Sequence, residues 1–150
     1  MSRMRGVAGF DKLWERRTTI ALVQGMQIEL LGLPDLIAAK KTQRDKDWPQ
    51  IRRLVESDYA ASAENPPEDR VRLWLKEARS PALLCDLYRR FPDLCNEVAA
   101  QRPLLKLVPN ENEDSIQTAL DEEEKKERET DRQYWNPLRK ELEDFRHAVG

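Results

Sequence analysis

The chain reads QIELLGLPDLIAAKKTQRDKDWPQIRRLVE from Gln27 to Glu56, and this stretch decides the fold. It opens with a short apolar run that is typical of a β-strand. Gly32 interrupts the run, and Pro34 followed by Asp35 marks the first turn of a helix. A second helix begins near Pro49 and carries apolar residues at helical spacing. The stretch therefore predicts a strand and two helices, with a charged loop between the helices.

The segment before it predicts the other half of a β-hairpin. Residues from Thr18 to Val23 are rich in β-branched side chains, Gln24-Gly25 is a turn pair, and Met26 to Leu31 is the returning strand. The apolar spacing of Phe10 to Arg17 predicts a short helix ahead of the hairpin. A single bent helix is the alternative, and it is disfavoured by the glycine and the β-branched residues.

The rest of the chain is predicted to be helical. Residues 65–67, Asn-Pro-Pro, form a strong break, and apolar residues then recur at helical spacing over residues 67–101. Residues 121–132 are almost wholly charged, which is typical of a solvated helix and is compatible with an interaction tail. Asn136-Pro137 predicts the start of a last helix.

These elements define the expected fold class and organisation. The class is α+β and mostly α, with a β-hairpin and flanking helices, then a helical region and a charged C-terminal helix pair. The breaks divide the chain into residues 1–63 with the hairpin, residues 66–108 as the helical region, and residues 111–150 as a charged helical extension.

Composition narrows the function. Of the 150 residues, 36% are charged, yet the net charge is only -2, so nothing pulls the whole chain toward nucleic acid or an anionic membrane. No apolar run approaches the roughly 18 residues of a membrane-spanning helix, and the start has no signal-peptide core. Cys85 and Cys95 lie in an apolar helical region, and His147 is the only histidine. We therefore expect a cytoplasmic protein with buried, reduced thiols and no metal site, a disulfide being the less favoured alternative.

The charged loop is the strongest candidate for a site. Lys40 ends a helix and is followed by Arg44, Lys46 and Asp47. Fixed cations at this spacing favour an anion or phosphate site. Lys40 and Arg44 share a helix face only if the helix continues through Gln43. The competing interpretation is a surface ion-pair cluster of little energetic value.

The motif LPDLIAAKKTQRDKDWPQIRRL, from Leu33 to Leu54, resembles the C-terminal half of the nucleotidyltransferase domain of the DNA polymerase beta superfamily. It is most similar to small bacterial nucleotidyltransferase-like proteins, including toxins of abortive-infection toxin–antitoxin systems. In that family a hairpin precedes L-x-x-L-I-x-x-K, which is followed by R-x-K-D and an amphipathic helix. The resemblance covers residues 10–55 and implies that residues 1–63 form a partial nucleotidyltransferase-like domain.

The resemblance also implies roles for the loop. Lys40 would contact the incoming triphosphate, Arg44 and Lys46 would support it, and Asp47 would orient one of those cations. Toxin-type relatives often carry D-x-x-D at this place, whereas here the aspartate is followed at the third position by Gln50.

The family's catalytic motif is a Gly-Ser turn followed by paired aspartates that hold divalent metals. None of the five glycines of this chain precedes a serine. We therefore assign no catalytic residue and expect a truncated or reduced homologue that is inactive alone, so whether the chain is an enzyme stays open. No cofactor is expected for this chain by itself, and Mg2+ with a nucleoside triphosphate would act only if a complete catalytic half were supplied.

The alternative function is a non-enzymatic helical protein-interaction module that is related to toxin–antitoxin systems. A protein partner or a second copy would bind through the edge of the hairpin or through the charged C-terminal helices. Neither nucleic acid nor a membrane is expected as a partner.

Overall fold

The computed structural model describes residues 5–23, 25–110 and 112–149. Within them lie seven α-helices, one 3-10 helix and a two-stranded antiparallel sheet. In chain order the elements are α1 (Phe10–Glu15), β1 (Thr18–Ala21), β2 (Gln27–Leu30), α2 (Leu33–Lys40), α3 (Asp47–Ser62), α4 (Glu68–Glu77), α5 (Pro81–Arg90), α6 (Pro92–Val98), the 3-10 helix (Pro103–Asn110) and α7 (Glu113–Val149). The expected class, α+β and mostly α, is confirmed.

The hairpin is confirmed, with Ile20 paired to Ile28 across the two strands. Both strands are shorter than the sequence predicts, since β1 ends at Ala21 and β2 begins at Gln27. Beyond them the backbone N–H of Leu22 donates to the carbonyl of Met26 at 2.7 Å and closes the loop. Gln24, which we predicted to be in the turn, lies outside the described residues.

One apolar core holds α2 to α6, the 3-10 helix and the first third of α7 together. Its fully buried members include Ile37 of α2, Trp74 of α4, Leu84 of α5 and Ile116 of α7. The core therefore joins the three segments that composition distinguishes in the sequence. No helix among the described residues combines the length and apolar character that crossing a membrane requires.

The C-terminal helix pair is corrected to a single helix, since α7 runs from Glu113 to Val149 with Pro137 inside it. Proline removes one backbone N–H and normally breaks a helix interior. Here the residues around Pro137 are exposed or half-buried, so water can satisfy the carbonyl that loses its donor. The resulting helix of 37 residues is about 55 Å long.

The hairpin joins the helical part of the molecule, which we call the body, at Gly32. A β-carbon at Gly32 would lie 2.5 Å from the carbonyl oxygen of Arg16, so this close approach requires glycine. Nearby, the guanidinium of Arg16 donates to the carboxylate of Asp35 at 2.8 Å. These contacts fix the base of the hairpin and leave the strands themselves projecting outward.

Candidate functional site

The four predicted nucleotide-binding residues lie in and beside one loop, residues 41–46, which we call the basic loop. Arg44 and Lys46 lie within it, and Lys40 and Asp47 flank it. α2 ends at Lys40 and α3 begins at Asp47, so Lys40 and Arg44 do not share a helix face. Instead the loop folds back, and both cations approach the same carboxylate. Arg44 Nε lies 2.9 Å from Asp47 Oδ2, and Lys40 Nζ lies 4.0 Å from Asp47 Oδ1.

Asp47 is the centre of this cluster and is only 2% exposed. Its Oδ2 also accepts a hydrogen bond from Thr42 Oγ1 at 2.5 Å, and Thr42 Oγ1 in turn accepts the backbone N–H of Arg44 at 3.1 Å. Burial alone would raise the pKa of Asp47. The hydrogen bonds from Thr42 and Arg44, with the charges of Arg44 and Lys40, outweigh burial and lower that pKa below its ordinary value. Asp47 therefore stays ionised and holds the loop in shape.

Lys40 and Arg44 nevertheless line different surfaces. Lys40 Nζ donates to Gln50 Oε1, and both side chains border a groove with Arg53 and Leu54. Gln50, three positions after Asp47, is thus a direct hydrogen-bond partner of Lys40. Lys46 is exposed and has no ion pair with any residue that the structure describes. The four predicted residues do not line one cleft.

A cleft of about 400 Å³ lies on the Arg44 side, between the basic loop and α7. Asp131 of α7 is 3% exposed, and its Oδ2 accepts the backbone N–H of Gln43 at 3.0 Å. Its other oxygen, Oδ1, accepts hydrogen bonds from Trp135 Nε1 at 3.2 Å and from Arg5 Nε at 3.4 Å. The buried carboxylate therefore ties α7 to the basic loop.

Sequence reasoning missed this cleft, because Asp131 and Gln43 are 88 positions apart. The available signal was the spacing of Asp131, Trp135 and Arg139, which repeats every four residues and so shares one helix face. Of the cations in the cleft, Arg5 is already paired with Glu127 at 2.9 Å. Arg139 is exposed and has no ion-pair partner among the described residues.

Trp48 serves as a core anchor and not as an exposed ring on which a nucleobase could stack. The residue is 3% exposed, and its Nε1 donates to the carbonyl of Thr42 at 2.9 Å. The guanidinium carbon of Arg79 lies 4.6 Å from the centre of the ring. A nucleobase has no access to a ring that is covered in this way.

A second buried cluster joins α7 to the helical region. Glu123 Oε1 accepts from Arg79 at 2.7 Å and from Arg102 at 2.9 Å. Arg102 also donates to the carbonyls of Leu75 and Ala78, at 2.8 Å and 2.9 Å, and so satisfies the end of α4. The cluster is structural, and it was not anticipated because its members come from three separated segments.

The hairpin presents an uncovered apolar surface. Every residue of β1 and β2 is exposed. Side chains alternate along a strand, so the paired residues Ile20 and Ile28 share a face with Leu30, and the parity extends to Leu22 and Met26 beside the turn. We call these five residues the hairpin face; each is 40–59% exposed. The opposite face is polar, with Thr19 Oγ1 donating to the Glu29 carboxylate at 2.8 Å.

A second apolar surface lies near the end of α7. Leu138, Leu142 and Phe145 follow one another at spacings of four and three, which places them on one helix face. We call these three residues the C-terminal stripe. Leu142 is 57% exposed and Phe145 is 65% exposed.

Among the described residues, no group of three or more His, Cys, Asp or Glu side chains is placed to hold a metal ion. Cys85 and Cys95 are both buried thiols, as their apolar surroundings in the sequence predict. Comparisons of this chain with protein-family models, with curated proteins and with solved structures find no match.

Proposed function

We propose that this chain acts as a non-enzymatic protein-interaction module, with the hairpin face as its contact surface. The observation that carries the proposal is the exposure of both strands of an isolated two-stranded sheet. Such a sheet is only marginally stable in water unless its apolar face is covered. Its free backbone edges also accept pairing from another strand.

The free energy that is available for covering the hairpin face is substantial. At about 25 cal/mol per Å², a fully buried aliphatic side chain corresponds to about 60–120 Å² of apolar surface. Five residues that are roughly half exposed therefore leave on the order of 150–300 Å² uncovered. Covering it would contribute about 4–7 kcal/mol before the cost of association. That gain is the apolar contribution that a partner would make toward ordering the hairpin.

Amide hydrogen exchange and native mass together test the proposal. The protein is purified from its source cells as the native assembly and compared with the isolated recombinant chain. We expect a mass above 17.6 kDa for the native assembly and slower exchange of the amides of residues 18–30 there than in the isolated chain. Equal masses with equal exchange in the two samples would contradict the proposal.

A variant pair locates the contact. Ile28→Lys places a charge on the hairpin face, whereas Thr19→Lys places the same charge on the polar face of the same sheet. We expect the first variant to abolish the slower exchange and the second to retain it. Circular dichroism at 222 nm checks that both variants keep the helical body.

A second candidate function follows from the convergence of Arg44 and Lys40 on Asp47. We infer that the chain is a nucleotidyltransferase-like protein in which Lys40 and Arg44 remain as triphosphate-binding cations, and that it does not transfer nucleotides alone. What supports this is the family resemblance of residues 10–55 together with an ionised carboxylate that orients Arg44. Mg2+ and a nucleoside triphosphate would serve chemistry only with a complete catalytic half.

Calorimetric titration with ATP and GTP tests binding, and incubation with labelled nucleoside triphosphates, Mg2+ and RNA or protein acceptors tests transfer. We expect weak binding that Lys40→Ala and Arg44→Ala each reduce about tenfold, because each removes a charge-assisted contact of about 1.4 kcal/mol. Arg52→Ala is the control, since that arginine pairs with Glu56 on the exposed side of α3. No binding at millimolar nucleotide would remove this candidate, and transfer that disappears in Lys40→Ala would overturn the inactivity.

A further inference from the structure

The hairpin face and the C-terminal stripe are the two uncovered apolar surfaces that a single helix-on-sheet contact could bury together. An amphipathic helix packed on one face of an antiparallel sheet is a common layer arrangement in α+β proteins. In this chain the helix and the sheet that would make such a layer are both present, and their apolar residues are exposed except for Leu138, which is half-buried.

We propose that the chain forms a symmetric dimer in which the C-terminal stripe of each copy packs on the hairpin face of the other. This inference rests on the proposed function and names the partner of the hairpin face as a second copy of the chain. A two-fold axis makes the two contacts identical and leaves neither surface open for further growth.

The partner is a second copy because the chain does not cover its own hairpin. α7 is continuous through Pro137 and is fixed to the body upstream, through Glu123 and Asp131. The stripe follows rigidly from that anchored part of the helix. With α7 in this position, Ile28 and Phe145 of one copy remain 43% and 65% exposed. Within one chain the two surfaces therefore leave each other uncovered.

The two surfaces match in size. Each strand of four residues is about 14 Å long, at about 3.4 Å per residue. The stripe from Leu138 to Phe145 is about 11 Å long, at 1.5 Å per residue, and a helix with its side chains is about 10 Å wide. Two strands about 4.8 Å apart, with their side chains, offer a similar width. The stripe of one helix therefore covers most of the length of the hairpin face.

The buried area is sufficient for a weak specific dimer. The hairpin face contributes on the order of 150–300 Å² per copy, from the area of aliphatic side chains. Leu142 and Phe145 add on the order of 150–230 Å², since a Phe side chain buries about 150–250 Å² in full. Two such contacts bury about 600–1,000 Å² of apolar surface before any rim residue is counted, close to the lower limit for a biological interface. We therefore expect dissociation in the micromolar range.

Sedimentation equilibrium from about 1 to 200 µM, followed by hydrogen exchange at both ends of that range, tests the dimer. We expect a shift from monomer to dimer, with slower exchange at high concentration in residues 18–30 and 138–146 together. Phe145→Lys should abolish the dimer and also restore fast exchange in the hairpin, although the hairpin lies in a distant part of the chain. Glu143→Lys, on an exposed position away from the stripe, should change neither.

Two results would overturn the inference. One is a chain that stays monomeric at 200 µM. The other is a dimer that persists in both Phe145→Lys and Ile28→Lys. Because Phe145 lies on an exposed part of α7, its substitution leaves the body folded and keeps the test decisive. If the chain is monomeric but its hairpin is protected in the native assembly, the proposed function stands with a different partner. If the chain is monomeric and the hairpin is also unprotected in the native assembly, the dimer and the proposed function both fail.

Discussion

Replacing Glu123 by glutamine should destabilise the protein by about 3 kcal/mol, and this prediction probes how α7 is held. Glu123 bridges Arg79 and Arg102, whose side chains are only 7% and 6% exposed. Removing one partner of a buried ion pair costs about 3–5 kcal/mol, because the other charge stays buried without compensation. Arg102 keeps its hydrogen bonds to two backbone carbonyls, and Glu123 is itself 29% exposed, which places the expected loss at the lower end of that range.

Arg79 carries most of the cost. Its Nε is buried without a hydrogen-bond partner among the described residues. Burial and the charge of Arg102 already lower the pKa of Arg79, because both disfavour its charged form, while Glu123 opposes them. Without the carboxylate of Glu123, Arg79 keeps the ring of Trp48, a cation–π contact worth only about 0.5–2 kcal/mol, and the smaller electrostatic contributions of Glu77 and Glu124.

Urea unfolding followed by circular dichroism measures the effect. With a slope of about 2 kcal/mol per M, a loss of 3 kcal/mol lowers the midpoint by about 1.5 M. Glu122→Gln, at an exposed neighbouring position, is the control and should change the stability by less than about 0.5 kcal/mol. A Glu123→Gln midpoint that matches the control would refute the reasoning.

The pH dependence of this difference follows from the pKa of Glu123. Burial raises that pKa. The hydrogen bond from Arg102 and the charges of Arg102, Arg79 and Lys41 together lower it by more than burial raises it, so the pKa in the folded protein lies below the ordinary value. A carboxylate with a lowered folded pKa stabilises the protein above its ordinary pKa and loses that contribution as the pH falls through the folded value. The gap between wild type and Glu123→Gln should therefore narrow upon acidification through that window.

Three further predictions concern separate parts of the molecule. Gly32→Ala should cost about 1–3 kcal/mol, because its β-carbon would lie 2.5 Å from the Arg16 carbonyl, whereas Gly9→Ala has no atom within 4 Å and should be nearly neutral; thermal unfolding measures both. Asp47→Asn should cost about 1–3 kcal/mol in urea unfolding, and the wild-type advantage should shrink as the pH falls below the ordinary aspartate range, because the folded pKa of Asp47 is lowered. Cys95, whose thiol is buried and whose pKa burial raises, should alkylate slowly in the native protein and rapidly in urea.

Each of these predictions has a contrary outcome. Equal melting temperatures for Gly32→Ala and Gly9→Ala would mean that the Arg16 carbonyl can move away without cost. A stability loss in Asp47→Asn that is independent of pH would mean that the charge of the carboxylate does not matter. Fast native alkylation of Cys95 would show that α6 opens locally well below the global unfolding free energy.

Local sequence patterns predicted much of this fold. The hairpin followed from β-branched residues beside Gly25, and the start of α2 followed from Gly32 and Pro34, because these preferences act within a few residues of the chain. The same reasoning placed a helix break at Asn136-Pro137, where the structure has a continuous helix. The residues around Pro137 are exposed or half-buried, so solvent can reach the carbonyl that lacks a donor, and a local rule has no access to that environment.

The candidate site was only partly predictable. Sequence identified the cations Lys40 and Arg44, but their shared contact with Asp47 depends on how the basic loop turns back at Thr42. The tie from this loop to Asp131 was beyond sequence reasoning, because nothing in either segment specifies the other.

The sequence by itself determined most elements of this protein: which segments are strands and helices, where glycine and proline begin or end them except at Pro137, and which thiols are buried. Only the tertiary structure decided how the elements combine, namely that Trp48 lies under Arg79, that Glu123 joins two buried arginines, and that the hairpin face is left uncovered. The physical reason is the distance along the chain over which each kind of interaction acts. Backbone preferences and side-chain periodicity are set by neighbouring residues, whereas burial and ion pairing depend on groups that only the folded chain brings together.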